Sequence, residues 1–195
     1  MGRPSAKQRK PYDFDAIVDI AVQVFLRRGY DGASLDQVAA AAGITKASIY
    51  YHADGKEALL AHGTGRALDA LFAVLEEAGA REGREVDRLR HVVRRTVETT
   101  VEWLPEVALL LRVRGNTRTE RWILERRRSF DRMLATIVGE AQSKGQIRAD
   151  VEPGLITRML FGMLNSITEW YRPGGGLGVE DIVAAAIRIA FEGLE

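Results

Sequence analysis

Apolar residues recur at intervals of three and four along nearly the whole chain, which is the spacing of one face of an α-helix. The pattern is clearest over residues 13–28, 86–104, 119–144, 155–171 and 179–194. Between these stripes, Gly29 and the run from Pro173 to Gly176 are typical helix breaks. No convincing run alternates with the period of two that a strand requires. The pattern therefore predicts an all-α fold of about nine helices.

Residues 34–52 divide into two short helices with a tight turn between them. Leu35 and Ala39 lie on the inner face of the first helix, and Ile49 returns to the core from the second. Gly43 stands where the chain must leave the first helix through a left-handed conformation, which glycine adopts without steric cost. This is the layout of a helix-turn-helix.

The second of these helices, at about 46–52, exposes side chains suited to the major groove of DNA. Lys46 suits guanine acceptors or a phosphate, Ser48 suits a base or the backbone, and Ala47 suits a thymine methyl group. The predicted DNA contacts are Arg3, Lys10, Ser34, Thr45, Lys46, Ala47, Ser48, Tyr50, Tyr51, His52 and Lys56. The alternative is a compact three-helix unit whose tyrosines pack on their neighbours.

Charge is distributed unevenly, although the 195-residue chain carries 28 basic and 27 acidic side chains and a net charge of only +1. Residues 1–10 contain four basic side chains and no acidic one. An acid-free basic arm close to a helix-turn-helix favours binding to a polyanion, and the alternative is a solvated tail. Together with the exposed helix, the arm indicates double-stranded DNA as a partner.

Composition argues against several other classes of protein. The chain contains no cysteine, which removes disulfides, thiolate metal sites and a cysteine nucleophile. The N-terminal residues lack the apolar core of a signal peptide, and no apolar run approaches the roughly 18 residues of a membrane span. The motifs of zinc metalloproteases, serine hydrolases and P-loop enzymes are absent. We expect a cytoplasmic protein that is not an enzyme, has no metal or cofactor and binds no membrane.

Residues 14–60 resemble the N-terminal domain of the tetracycline-repressor (TetR) family of bacterial transcriptional regulators. The matching positions are Ile17, Ala21, Phe25, Gly29-Tyr30, Ser34-Leu35, Val38-Ala39, Ala42-Gly43-Ile44, Ile49-Tyr50-Tyr51-His52 and Lys56-Glu57-Ala58-Leu59-Leu60. The sequence departs from the family at Ala53, usually phenylalanine, and at Gly55, usually serine. We expect these departures to loosen the link into the fourth helix and to remove one cap. The resemblance implies a DNA-binding domain over 1–56 and a ligand-binding and dimerisation domain over 57–195.

The two C-terminal stretches, 155–171 and 179–194, are more apolar than one face of a small bundle requires. This excess favours two helices that pair with those of a second copy as a four-helix interface. The predicted dimer contacts are Leu155, Met159, Met163, Ile182, Ala185 and Ile189. The alternative is burial of the same stripes inside a monomer.

A narrower resemblance concerns the effector. Residues 160–175 look like a segment shared by TetR-type regulators of fatty-acid and sterol breakdown, several of which respond to acyl-CoA thioesters. Over 112–132, eight arginines against three acidic side chains would suit the phosphates of CoA, and a solvated helix face is the alternative. The candidate effector contacts are Trp103, Arg112, Arg128, Phe161, Asn165 and Trp170.

These features predict a ligand-responsive transcriptional regulator, in the first instance a repressor, that binds a palindromic operator as a homodimer. A small hydrophobic effector, either an acyl-CoA thioester or an unrelated drug-like molecule, would favour a conformer with wrongly spaced recognition helices and so release the DNA. A nonspecific architectural DNA-binding protein is the competing interpretation, and it would show neither sequence preference nor half-site spacing.

Overall fold

The computed structural model describes residues 13–193, which form eleven helices and no strand. The helices are α1 (Phe14–Arg28), α2 (Leu35–Ala42), α3 (Lys46–His52), α4 (Lys56–Glu76), α5 (Ala78–Arg81), α6 (Glu85–Glu102), α7 (Leu104–Leu111), α8 (Arg118–Ser143), α9 (Pro153–Asn165), α10 (Ile167–Trp170) and α11 (Val179–Phe191). The all-α prediction is confirmed. The count exceeds about nine because α5 and α10 are single turns of four residues.

The stretch 155–171, expected as one helix, is divided at Ser166. The Ser166 hydroxyl donates to the carbonyl oxygen of Met163 at 2.7 Å, and its backbone N–H contacts the carbonyls of both Gly162 and Met163 at 3.2 Å. A serine side chain that bonds to the preceding turn competes with the regular helical ladder. The helix therefore ends at Asn165, and a separate turn, α10, follows.

Backbone contacts divide the chain into two units, one ending at Leu60 and the other beginning at Ala61. The first unit is built around α1, whose inward stripe includes the fully buried Ile17, Val18 and Ala21. Helix α2 packs on α1 and on α3, and Ile49 of α3 is fully buried. The apolar side chains at a spacing of three and four thus form the core that their pattern predicted.

The second unit is organised around α6, which packs against α5, α8 and α11. Helix α8 also packs along α9. The core between these helices is aliphatic, with Leu89, Val93 and Leu134 at zero or one per cent exposure. Phe130 of α8 makes edge-to-face contacts with Phe72 at 5.5 Å and with Phe161 at 6.4 Å between ring centroids. This aromatic row connects α4, α8 and α9.

Helix α4 is the single helix of the described residues that is long and apolar enough, by length and composition, to cross a membrane. One such helix is weak evidence for a membrane span, and the expectation that the chain has none stays a prediction. Half of its apolar window is buried inside the protein, as in core helices of water-soluble proteins. Its Arg66 lies 3.9 Å from Glu106, and its Asp69 accepts a hydrogen bond from Arg126 at 2.8 Å. These pairs place the charges of α4 against other helices of the protein.

Candidate nucleic-acid interface and effector cavity

The turn between α2 and α3 is fixed by caps at both of its ends. The backbone N–H of Gln37 donates to the Ser34 hydroxyl at 3.3 Å, and the Gln37 side chain accepts from the Ser34 backbone N–H at 3.1 Å. Gly43 closes α2 in the left-handed conformation, with φ 64°. Thr45 then caps α3 by accepting from the Ser48 backbone N–H at 3.1 Å. The angle between the two helices is therefore set by local hydrogen bonds.

Helix α3 turns one apolar side chain inward and most of the others outward. Ile49 is buried, whereas Tyr50 and Tyr51 are 55% and 86% exposed. His52, also exposed, contacts the Tyr51 ring edge-to-face at 5.1 Å between ring centroids. Large aromatic side chains with this degree of solvent exposure are typical of a binding surface. We call the outward side chains of Lys46–His52 the α3 surface.

Lys46 is the only amine of the α3 surface, and it already has a partner. Its Nζ donates to Asp36 Oδ2 of α2 at 3.0 Å, and both side chains are exposed. This hydrogen bond, together with the negative charge of Asp36, raises the pKa of Lys46. The ammonium group therefore stays protonated, and two of its three N–H donors remain for a DNA acceptor beside the contact with Asp36.

Lys56 is turned away from the surface where a phosphate contact was expected. Its Nζ donates to the backbone carbonyls of Tyr30 at 2.8 Å, Ala33 at 3.0 Å and Asp31 at 3.4 Å. The same ammonium lies over the Tyr30 ring, 4.4 Å from its centroid. Because these contacts use its donors, Lys56 ties the start of α4 to the loop after α1. The geometry contradicts the predicted phosphate contact and gives Lys56 a structural role.

The second unit contains an open cavity of about 300 Å³ between α8 and α9, here called the outer cavity. Three of its lining side chains are arginines, Arg127, Arg132 and Arg158, and one is an acid, Asp131. The titratable side chains thus carry an excess of two positive charges. Arg132 also donates to Glu125 at 2.9 Å, outside the cavity lining. Arginine forks in a concave site match phosphate and carboxylate groups.

The position of Asp131 in the outer cavity changes the pKa of its carboxyl group. Desolvation by the surrounding protein raises the pKa of its carboxyl group, against the opposing effects of Arg127, Arg158 and Arg132. Solvent still reaches the carboxyl group through the open mouth of the cavity. Protonation of Asp131 would leave the three arginine charges without an opposing charge inside the outer cavity.

A smaller chamber of about 30 Å³, here called the inner cavity, adjoins the outer one. The two cavities share Arg127, Asp131, Phe161 and Asn165 as lining residues. Beyond these, the inner walls are mainly leucine, valine and phenylalanine side chains from α4, α7 and α8. An arginine-lined cavity beside a smaller and mainly apolar chamber suits an amphiphilic anion.

Comparison with known proteins assigns the chain to a family. Residues 17–62 match the model described as bacterial regulatory proteins, tetR family, and residues 82–194 match the one described as tetracyclin repressor-like, C-terminal domain. The second match alone covers more than half of the chain. The chain belongs to the TetR family of transcriptional regulators.

Individual TetR-family proteins agree with this assignment. The crystal structure of SCO3833 from Streptomyces coelicolor is 51% identical, with a TM-score of 0.89 over 96% of this chain and 94% of that one. AibR in complex with isovaleryl coenzyme A and operator DNA is 28% identical, with a TM-score of 0.79 over 90% and 96% of the two chains. The transcriptional repressor KstR2 of Rhodococcus jostii is 27% identical over 91% of this chain and 89% of its own length.

Apart from Lys56, the predicted DNA contacts fall into three groups within this TetR fold. Lys46, Ala47, Tyr50, Tyr51 and His52 are exposed, and Ser48 is partly exposed beside them. Ser34 and Thr45 act as caps for α2 and α3, with their hydroxyls engaged at the helix starts. Arg3 and Lys10 lie outside the described residues.

The predicted effector contacts are only partly brought together. Phe161 and Asn165 line both cavities. Trp103, Arg112, Arg128 and Trp170 line neither cavity, and their role as effector contacts stays a prediction. Arg112 and Arg128 lie near Glu169 and Glu125, and Trp170 donates to the Ser166 hydroxyl at 3.2 Å. Trp103 lies near Arg66, 6.0 Å from ring centroid to guanidinium.

The cavity arginines were missed because a helix turns by about 100° per residue. Arg128 follows Arg127 directly, and this one step moves its side chain from the cavity to the outer face of α8. The spacing of Arg127, Asp131 and Ala135, four residues each, could have identified the cavity side of α8. Arg158 lies on α9, where the sequence showed only an apolar pattern.

The predicted dimer contacts are mostly exposed in the single chain. Met159 is 71% exposed, Ile189 46% and Leu155 45%, and Ala185 is also exposed. Met163 is partly exposed. Ile182 is only 6% exposed on α11, which packs against α6, so it belongs to the core of the second unit in the single chain, and its dimer contact stays a prediction.

Among the described residues, no group of three histidine, aspartate or glutamate side chains is arranged to hold a metal ion.

Proposed function

We propose that this TetR-family regulator is a repressor that binds a palindromic operator as a homodimer and is released by an anionic effector of the acyl-CoA class. The observation that carries the effector assignment is the arginine-lined outer cavity, which shares four lining residues with a smaller and mainly apolar inner cavity. Its working site is DNA in the cytoplasm, and it performs no catalysis.

Operator recognition is assigned to the α3 surface. The N-terminal end of a recognition helix meets base edges, which makes Lys46, Ala47 and Ser48 the base-contacting candidates. Tyr50, Tyr51 and His52 lie further along and would contact phosphate. The Thr45 Oγ1 accepts the capping hydrogen bond from the Ser48 backbone N–H, so the Ser48 hydroxyl, 2.8 Å from that of Thr45, can donate to DNA without loss of the cap. Lys46 can donate to a DNA acceptor with the N–H groups that do not contact Asp36.

The partner proposed for the exposed side of α9 and α11 is a second copy of this chain. A palindromic operator presents two half-sites one helical turn apart, about 34 Å, and needs two recognition helices related by a twofold axis. Leu155 and Met159 of α9 and Ile189 of α11, here called the stripe, are exposed apolar side chains that a symmetry-related copy can cover. A twofold interface suits such a stripe because each copy contributes the same side chains.

The effector chemistry follows from the cavity walls. An excess of two positive charges at the mouth favours a ligand with several negative charges, such as the phosphates of CoA. The apolar inner walls favour an uncharged acyl end. The similarity to AibR, which was solved with isovaleryl coenzyme A and operator DNA, supports this class of effector. The similarity to the repressor KstR2 supports repression as the outcome of DNA binding.

The test is a fluorescence-anisotropy titration of the full chain against DNA from immediately upstream of its own gene, at two salt concentrations, with genomic fragments as further targets. We expect one site bound about a thousandfold more tightly than random DNA. Butyryl-CoA or palmitoyl-CoA, added last, should release it. Equal affinity for all fragments would overturn the regulator and support an architectural protein. Specific binding that no acyl-CoA affects would overturn the effector assignment alone and direct the search to unrelated drug-like ligands.

A further inference from the structure

The inner cavity contains a polar group that nothing in the protein satisfies. Thr96 of α6 is 3% exposed, and its Oγ1 has no hydrogen-bond partner. It lines the inner cavity together with Thr100, one turn further along the same helix. A buried hydroxyl left without a partner loses its hydration and gains nothing in return. A buried hydroxyl without a hydrogen-bond partner therefore lowers the stability of the fold, unless a bound group accepts a hydrogen bond from it.

The side chains around Thr96 restrict which group can accept a hydrogen bond from its hydroxyl. Phe161 is 5% exposed and lines both cavities, so a molecule held at the arginine-lined mouth reaches Thr96 past this ring. The chamber lining also includes Leu68, Val107 and Leu110, which offer no hydrogen bond, and the polar side chains of the same lining, Asn165 and Asp131 among them, make none with Thr96. A ligand that enters the chamber can therefore supply the acceptor that the Thr96 hydroxyl lacks.

The volume restricts the ligand further. About 30 Å³ corresponds to one water-sized group, whereas the outer cavity is about ten times larger. A long alkyl chain would have to displace closely packed leucine and phenylalanine side chains, and overfilling a packed core is unfavourable. A carbonyl group is close to this size, and a short tail displaces fewer of these side chains than a long one does.

We infer that the inner cavity reads the acyl end of the effector: the Thr96 hydroxyl donates to the thioester carbonyl oxygen, and the small chamber selects short acyl groups. This inference rests on the proposed function, because it assumes an effector whose charged part lies among Arg127, Arg132 and Arg158. It assigns Thr96 as a specificity-determining residue, and it separates charge recognition at the mouth from acyl recognition inside.

The experiment compares butyryl-CoA with S-butyl-CoA, a thioether that lacks the carbonyl oxygen, by calorimetric titration of the full-length protein. The same pair is titrated into Thr96→Val, which removes the hydroxyl and keeps the shape, and into Thr96→Ser, which keeps a hydroxyl. We expect the preference for the thioester over the thioether to fall by about three- to tenfold in Thr96→Val and to persist in Thr96→Ser. Comparing ratios within each variant removes the difference in apolarity between the two ligands.

Thermal unfolding provides the folding control. Thr96→Val removes an unpaired buried hydroxyl, so its melting temperature without ligand should not fall. Palmitoyl-CoA should bind the wild type at least tenfold more weakly than butyryl-CoA. An unchanged thioester preference in Thr96→Val would overturn the role of Thr96 and leave an ordered water as its partner. Palmitoyl-CoA binding as tightly as butyryl-CoA would overturn the size selection. If no CoA compound binds at all, the proposed effector class fails, and this inference fails with it.

Discussion

Two lysines of the first unit carry the same charge but differ in their surroundings. Lys46 makes one exposed contact, with Asp36, whereas Lys56 donates to three backbone carbonyls and contacts the Tyr30 ring. The sequence indicates that both could meet phosphate, because each begins a helix near the predicted DNA surface. It cannot show that the loop after α1 folds back over Lys56, because that contact joins residues more than twenty positions apart.

Lys46→Ala should weaken operator binding and leave the fold intact. An exposed ion pair such as Lys46–Asp36 contributes little to stability, because water screens the two charges. If Lys46 contacts a base, the variant should also relax the preference at that base pair by about 1–3 kcal/mol. The measurement is anisotropy against the operator and single-base variants of it, with denaturant unfolding alongside.

Lys56→Ala is the matched control, since it removes an equal charge from the start of the neighbouring helix. It should lower the free energy of unfolding by about 1–3 kcal/mol, because three carbonyls lose their charged donor. A Lys46→Ala variant that binds the operator as tightly as wild type would remove Lys46 from the interface.

Asp131→Asn should strengthen binding of an anionic effector at neutral pH by about three- to tenfold, because it removes the one negative charge opposing the cavity arginines. In the wild type, the raised pKa of Asp131 means that its charge is lost as pH falls through that value, so binding should tighten in the same range. Calorimetric titration of butyryl-CoA into both proteins across pH isolates this effect.

The ligand phosphates also titrate, with a second pKa of about 6, but this titration affects the affinity of both proteins equally. The pH-dependent difference between wild type and Asp131→Asn therefore belongs to Asp131. Parallel pH profiles for the two proteins would contradict a role of this carboxyl group in the cavity.

At the scale of elements, helix boundaries follow closely from the sequence wherever a cap is local. The Ser34–Gln37 capping box and the left-handed Gly43 involve residues within a few positions of one another. The division of 155–171 at Ser166 was not predicted, because the apolar pattern continues through it. The burial of Ile182 on α11 was also not predicted. Both sides of this helix are apolar, and only its packing against α6 distinguishes the buried side from the exposed one.

Gly43→Ala should destabilise the helix-turn-helix by about 1–2 kcal/mol. An added Cβ would meet nothing within 4 Å, so the penalty comes from the backbone at φ +64° and involves no collision. Gly43→Asn is the control, because asparagine tolerates the left-handed conformation better than alanine does. Denaturant unfolding measures both. If alanine proves no worse than asparagine, the turn does not depend on the conformational freedom of glycine.

At the scale of the whole molecule, the sequence was sufficient for the all-α class and the TetR family, because the family motif lies in one continuous segment. The cavity could not be predicted from the sequence. Its lining combines α8 and α9 in the outer part and adds α4, α6 and α7 further in, and no single stretch of sequence contains that combination. Of the six predicted effector contacts, only Phe161 and Asn165 line it.

Met159→Glu should convert the proposed dimer to monomers and greatly weaken operator binding, because both depend on covering the stripe on α9 and α11. Met159 is 71% exposed in the single chain, so the helical content should not change. Met133→Glu introduces the same charge at a residue of α8 that is 40% exposed and outside the stripe, and it should leave the dimer intact. Sedimentation velocity measures the assembly. A Met159→Glu protein that remains dimeric would place the interface elsewhere.

The central claim is that effector binding and operator binding oppose each other within one molecule. Linkage requires that an effector which releases DNA binds the DNA-bound protein more weakly than the free protein, by the same factor. The most direct measurement is calorimetric titration of butyryl-CoA into the free protein and into the protein saturated with operator. The account predicts at least tenfold weaker binding to the operator complex. Equal affinity in the two titrations would contradict it.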